Sequence, residues 1–245
     1  MQLKHIALAA TLAAVSSAQF NIPAANGKKQ VLNAPRPISG FVDLKFQEFD
    51  RGKACTSDKD QGSDEAVFVL KNGATLANVI IGSDAFEGVH CEGSCTLQNV
   101  WFRDVCEDAI TLLGSGSYRI TGGGAQNAVD KVIQHNGVGT VEIKDFTVSN
   151  VGKLYRSCGD CTNNAGKKRT VVASGIRAFG VKSDLIGINS NYGDTATVSN
   201  SCGTTKKVCQ EYKGVNKGSG KSEKLDTPTG ACKGAQGGLA KLPSC

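Results

Sequence analysis

Apolar and polar positions alternate along this chain in short bursts that recur every 21 to 23 residues. Gly73-Ala74-Thr75-Leu76-Ala77-Asn78-Val79 aligns with Gly93-Ser94-Cys95-Thr96-Leu97-Gln98-Asn99-Val100. Gly116-Ser117-Tyr118-Arg119-Ile120-Thr121-Gly122 and Gly139-Thr140-Val141-Glu142-Ile143-Lys144-Asp145 continue the series. Leu76, Leu97, Ile120 and Ile143 fall in one column, at offsets of 21, 23 and 23. Each burst opens on a turn glycine and alternates inward and outward side chains, which predicts strands. No helical stripe stands out beyond residue 18. A fixed internal period of roughly 20 to 50 residues marks a solenoid or a propeller. This one is too short for a four-stranded blade and lacks the multi-Leu consensus of leucine-rich repeats. The pattern predicts an all-β, single-domain, right-handed parallel β-helix, each turn lying on the last at ~4.8 Å.

Three segments follow from the same reading. Residues 1–18 have Lys4, an apolar run from Ile6 to Val15 and the small residues Ser16-Ser17-Ala18, the pattern of a secretory signal peptide. That run is too short to span a bilayer and no other segment approaches the length, so a secreted protein with no membrane association is expected. Residues 19–202 are assigned to the β-helix domain, with 19–65 as an N-terminal cap and Cys158 to Arg169 as a polar loop. Residues 203–245 form a Lys-rich tail tethered by cysteines. Of the formal charge of +6, Lys4 supplies one and the tail a balance of +5, whereas residues 19–202 are neutral. Its Gly, Ser and Thr content suggests mobility, and its charge suggests attraction to an anionic polymer. Nucleic acid is a poor candidate partner, since the chain reads as secreted and no aromatic platform interleaves the basic residues. Ten cysteines in a secreted chain imply five disulfides of open connectivity, and Cys91/Cys95 and Cys158/Cys161 read as staples rather than zinc ligands.

A second column is charged. Glu87, Asp108, Lys131 and Lys153 are separated by 21, 23 and 22 residues, so coil stacking puts them on one face, acidic at one end and basic at the other. The register is open by one residue, because Glu107, Asp130 and Lys153 also align at intervals of 23. Either way, carboxylates for a calcium ion stand beside cations for an acidic polymer. Asn78 and Asn99 are expected to form a structural ladder, and His90 and His135 to be structural residues. Trp101 is placed in the core and Gly122-Gly123-Gly124 in a coil turn.

The segments Glu87-Gly88-Val89-His90-Cys91, Val105-Cys106-Glu107-Asp108-Ala109, Asp130-Lys131-Val132-Ile133-Gln134-His135-Asn136-Gly137 and Gly152-Lys153-Leu154-Tyr155-Arg156-Ser157-Cys158 together resemble family 3 of the polysaccharide lyases. These are secreted, calcium-dependent pectate lyases with a short parallel β-helix. The likeness is dense from Phe68 to Cys202 and thinner through Cys209-Gln210-Glu211-Tyr212 to Cys232; Glu87 stands where some relatives carry Asp. The resemblance implies β-elimination on polygalacturonate by a monomer, with Ca2+ held by Glu87, Glu107, Asp108 and Asp130. It implies Lys131 as the base, its pKa lowered by neighbouring cations, with Arg156 next in line. Lys153 and Arg156 would bind substrate carboxylates. The alternatives are a polygalacturonase-like hydrolase, which needs a paired-carboxylate machinery, and a non-catalytic wall-binding protein.

Overall fold

Coil lies on coil through parallel backbone pairing in a computed structural model that describes residues 20–56 and 62–245. The proposed signal peptide falls outside the described residues. Three parallel sheets run the length of a right-handed β-helix, and strands pair with the equivalent strand one turn away. Sheet I contains Arg36–Ile38, Ala66–Leu70, Glu87–Cys91, Ile110–Leu112, Lys131–His135 and Lys153–Ser157. Sheet II takes the first parts of Phe41–Asp50, Ala74–Ile81, Cys95–Phe102 and Ser115–Gln126, then Val138–Lys144, Arg169–Ser174 and Thr195–Ser199. Sheet III takes the remainder of those long strands, then Thr147–Val151. Arg177–Asn189 and Cys202–Lys213 each begin in sheet III and end in sheet I.

Inward side chains form apolar columns in every sheet. Leu76, Leu97, Ile120, Ile143, Ala173 and Val198 are register partners in sheet II, and all are buried. Sheet I contributes Phe68, Val89, Ile110, Ile133, Tyr155 and Ile186. Sheet III contributes Ile81, Phe102, Ala125, Val148 and Ala178. Each fully buried aliphatic contributes roughly 1.5–3 kcal/mol, so the stack of columns is the main stabilising element.

The corner between sheets II and III needs left-handed backbone. Asn78, Asn99, Asp145 and Asn200 have φ of 50°, 52°, 53° and 49°, the region that Asn and Asp enter at least cost after Gly. Asn99 Nδ2 donates to Asn78 Oδ1 at 2.9 Å and Asn78 Nδ2 to Asp43 Oδ1 at 3.1 Å, the expected ladder. Gly122 continues the corner at φ 64°, where a Cβ would collide with Asn99 Oδ1.

All ten cysteines are paired: Cys55–Cys106, Cys91–Cys95, Cys158–Cys161, Cys202–Cys245 and Cys209–Cys232. None is left to hold zinc. No helix among the described residues is long and apolar enough to cross a membrane.

Three expectations change. The segment 19–65 is more than a cap, because Arg36–Ile38 and Phe41–Asp50 already pair as coil strands. Residues 203–245 do not hang free. Cys202–Lys213 is a strand of the last coil, with Val208, Cys209, Gln210, Glu211 and Tyr212 buried. The short helix Gly234–Gly237 packs on Thr195–Ser199, and Gln236 bonds both backbone groups of Ser201 at 2.8 Å. Trp101 points out of sheet III rather than into the core. It is half-buried beneath Phe20, with ring centroids 5.9 Å apart.

Leu97→Ala should destabilise the fold by about 2–5 kcal/mol, because neighbouring coils fix the walls of the cavity. Thr96→Ala, at the adjacent outward position, should change stability by no more than about 0.5 kcal/mol. Urea midpoints at constant slope measure both; equal losses would contradict the assigned inward column.

Candidate active site

Sheet I settles the register of the charged column. Ala66 pairs with Glu87, Val89 with Ile110, Ile110 with Ile133 and Lys131 with Lys153. Glu87, Asp108, Lys131 and Lys153 therefore stack, and Glu107 stacks on Asp130; the alignment of Lys153 with Asp130 is not the one adopted. The column runs further than expected. Asp184 follows Lys153, and Lys207 follows Asp184.

Lys131 ties the acidic groups together. Its Nζ lies 3.3 Å from Glu107 Oε1, 3.2 Å from Asp108 Oδ1 and 3.4 Å from Asp130 Oδ2. Lys153 Nζ meets the other Asp130 oxygen, Oδ1, at 3.2 Å. Glu87 is buried and lies 3.2 Å from His90 Nε2, whose Nδ1 lies 3.2 Å from Ser63 Oγ. His90 is thus a structural partner of Glu87. His135 is structural too: buried, 2.8 Å from Tyr155 Oη, and held neutral with its pKa lowered to about 3 by burial, Arg169 and Lys167.

Burial pushes the Asp108 carboxyl well above the usual carboxylate range; Lys131 opposes this, whereas Glu107 and Glu87 reinforce it. Burial acts to lower Lys131, but Asp108, Glu107 and Asp130 outweigh it and hold the ammonium above its ordinary range. The expected downward shift of Lys131 is therefore reversed in this arrangement, because carboxylates rather than cations are its nearest charges. Desolvation acts to raise Asp130, yet Lys131 and Lys153 hold it low.

Four carboxylates face two ammonium groups in this cluster. An oxygen-only donor set with surplus negative charge fits a hard divalent cation such as calcium. Among the described residues, no three acidic, His or Cys side chains are arranged as a ligand set; the carboxylates converge on Lys131 instead.

Arg156 lies on the same sheet in a different environment. Its Nη1 donates to Ser157 O at 2.6 Å and Asn189 Oδ1 at 2.8 Å, and its Nη2 to Ser222 Oγ at 2.8 Å. Its guanidinium carbon stands 3.9 Å from the centroid of the Tyr212 ring. Burial lowers its pKa. Lys131, Lys153, Arg156 and Asp130 share a cleft of ≈ 330 Å³ with Gln134, Asp160, Tyr212, Lys221 and Ser222. Tyr212, Lys221 and Ser222 were not expected in this cleft, because they belong to the segment read as a Lys-rich, Cys-tethered tail.

The fold and cleft define a β-helical enzyme, and comparison with known proteins gives its class as a lyase. The family model described as pectate lyase matches residues 19–219. Probable pectate lyase E of Neosartorya fischeri is 52% identical over 219 residues, covering 88% of this chain and 85% of that protein. Pectate lyase E of Emericella nidulans shows the same identity and coverage. The catalytic domain of pectate lyase PelI from Erwinia chrysanthemi superimposes with a TM-score of 0.70 at 34% identity, over 82% of this chain and 94% of that one. PelI solved in complex with tetragalacturonic acid also gives a TM-score of 0.70, at 37% identity, over 81% of this chain and 66% of that one. The chain belongs to the pectate lyase family.

Asp108→Asn removes one of the three carboxylates around Lys131 while keeping its shape. In protein freed of divalent ions, the Lys131 pKa should fall, as followed by NMR of the Nζ group. An unchanged titration would show that Asp108 is not what holds Lys131 charged.

Proposed function

We propose that this chain cleaves polygalacturonate, the de-esterified backbone of pectin, by calcium-dependent β-elimination to give 4,5-unsaturated oligogalacturonides. The observation that carries this reading is the stacking of Asp108, Lys131 and Lys153 on successive coils, with Arg156 in the cleft that Lys131 and Lys153 line. A simple binding face has no use for a lysine enclosed by carboxylates.

The C5–H of a uronate is a very weak carbon acid while the neighbouring carboxylate keeps its charge, so neutralising that charge is the central demand on the site. Glu87, Glu107, Asp108 and Asp130 would hold calcium. Bound there, calcium would supply positive charge to the uronate and engage the carboxylates that otherwise keep Lys131 protonated. Neutral Lys131 takes the C5 proton; the C5–H electron pair becomes the C4–C5 double bond, and the C4–O bond breaks as the glycosidic oxygen leaves and gains a proton. Lys153 and Arg156 bind uronate carboxylates, and the planar fork of Arg156 suits a paired contact. Arg156, its pKa lowered by burial, is the second candidate for the proton acceptor. A monomer working outside the cell, with residues 1–18 as its leader, accords with five disulfides, which form in oxidising compartments.

Incubation with polygalacturonate should release an ultraviolet-absorbing unsaturated product. A chelator should stop it and added calcium restore it; full turnover in exhaustively chelated protein would sink the calcium assignment. Lys131→Ala should lower kcat by roughly 10²–10⁴-fold with little change in KM, and Lys131→Arg should rescue it poorly. A folded Lys131→Ala protein with near-normal turnover would exclude Lys131 as the base.

A further inference from the structure

Arg156 is held by residues of the last coil and of the segment that follows it. Tyr212 and Lys213 pair antiparallel with Lys224 and Glu223, so residues 212–224 fold back as a hairpin. The hairpin is sewn to the Cys158–Cys161 loop: Val215 N donates to Gly159 O at 2.9 Å, Lys217 N to Cys161 O at 3.2 Å and Asn164 Nδ2 to Val215 O at 3.0 Å. Ser222 Oγ accepts from Arg156 Nη2 at 2.8 Å and donates to Lys213 O at 3.1 Å. Beneath the guanidinium, the Tyr212 ring is fixed by its hydroxyl, which donates to buried Asp184 Oδ1 at 3.0 Å. Gly187, the register partner of Arg156, leaves room for this stack. A Cβ there would sit 2.8 Å from Arg156 Cδ and 3.0 Å from Tyr212 Cε2.

We propose that the hairpin is a working part of the substrate site, with Tyr212 and Ser222 as positioning residues that hold the Arg156 fork ready for a uronate carboxylate. The proposal rests on the polygalacturonate reading above. Three of the five guanidinium N–H donors are spent on Ser157, Asn189 and Ser222. The Nε–H and one Nη2–H remain, neighbouring donors of the kind a carboxylate takes in pairs. A free arginine side chain loses much rotamer entropy on binding, and a stacked, pinned one has lost it already. The same cleft is lined by exposed Lys221, one residue before Ser222, which gives the hairpin side a positive edge.

Steady-state kinetics on polygalacturonate in calcium-supplemented buffer test the idea. Tyr212→Leu should raise KM roughly ten-fold, as expected for a lost, largely desolvated cation–π contact, with a smaller change in kcat. Tyr212→Phe keeps the ring and should stay within about three-fold of wild type. Ser222→Ala, on an exposed hairpin, should raise KM about three-fold, in line with one lost hydrogen bond. In an Arg156→Ala background, Tyr212→Leu and Ser222→Ala should add nothing, because both act through Arg156. A merely structural role would lower the melting temperature and leave the KM of the folded fraction alone. Wild-type KM in Ser222→Ala and in any folded Tyr212→Leu would overturn the proposal, as would full additivity with Arg156→Ala. A wild-type protein that yields no unsaturated product would instead remove the reading on which the proposal rests.

Discussion

Parallel hydrogen bonding between successive coils fixes the register of every strand, and both the core and the charged face inherit their order from it. A slip of one residue would turn Leu76, Leu97, Ile120 and Ile143 from the interior to the solvent. The same slip would separate Asp108 from Lys131. Core packing thus enforces the site geometry without any contact made for that purpose. The corner residues serve the same end, since Asn78 and Asn99 both bend the chain and bond to one another across the coil spacing.

Stacking also explains why the charges interact strongly. Side chains at equivalent positions lie one strand spacing apart, so Asp108 feels Glu87 on one side and Lys131 on the other. Like charges at that distance are costly, and burial makes them more so. The ammonium of Lys131 relieves part of this cost by meeting Glu107, Asp108 and Asp130 together. Asp108 is nonetheless left with a raised pKa, chiefly because it is buried, with Glu107 and Glu87 adding to the shift. Stability alone would favour fewer acids here.

Much of this was legible in the sequence because the period is short and regular between Ala74 and Lys153. The four-residue charged column and the Leu76 column both came from intervals of 21 to 23. Legibility failed where the interval failed. Asp184 lies 31 residues after Lys153, because the Cys158 to Arg169 loop lengthens that turn, so its place in the column was hidden. The last coil was hidden differently: in Cys202–Lys213 the lysines that set its composition mask buried Val208, Cys209 and Tyr212. That mistake concealed the stack of Tyr212 on Arg156. Trp101 was misplaced because an apolar side chain on an outward position is paid for by a distant segment, here Phe20. Disulfide pairing needed coordinates throughout, since the cysteine count implies five bridges but not which residues they join.

The two ends of the molecule have a further consequence. A stack of parallel strands has no natural stopping point, and an uncovered terminal coil would offer its backbone to the next molecule. The outermost strand of sheet I, Arg36–Ile38, contains Pro37, which has no N–H to give. At the other end, Cys202–Cys245 and Cys209–Cys232 bind the closing segment down, Glu211 accepts from Thr229 and Ala231, and the helix Gly234–Gly237 lies on Thr195–Ser199. These closures cap both ends of the stack and leave little terminal backbone for head-to-tail growth into filaments.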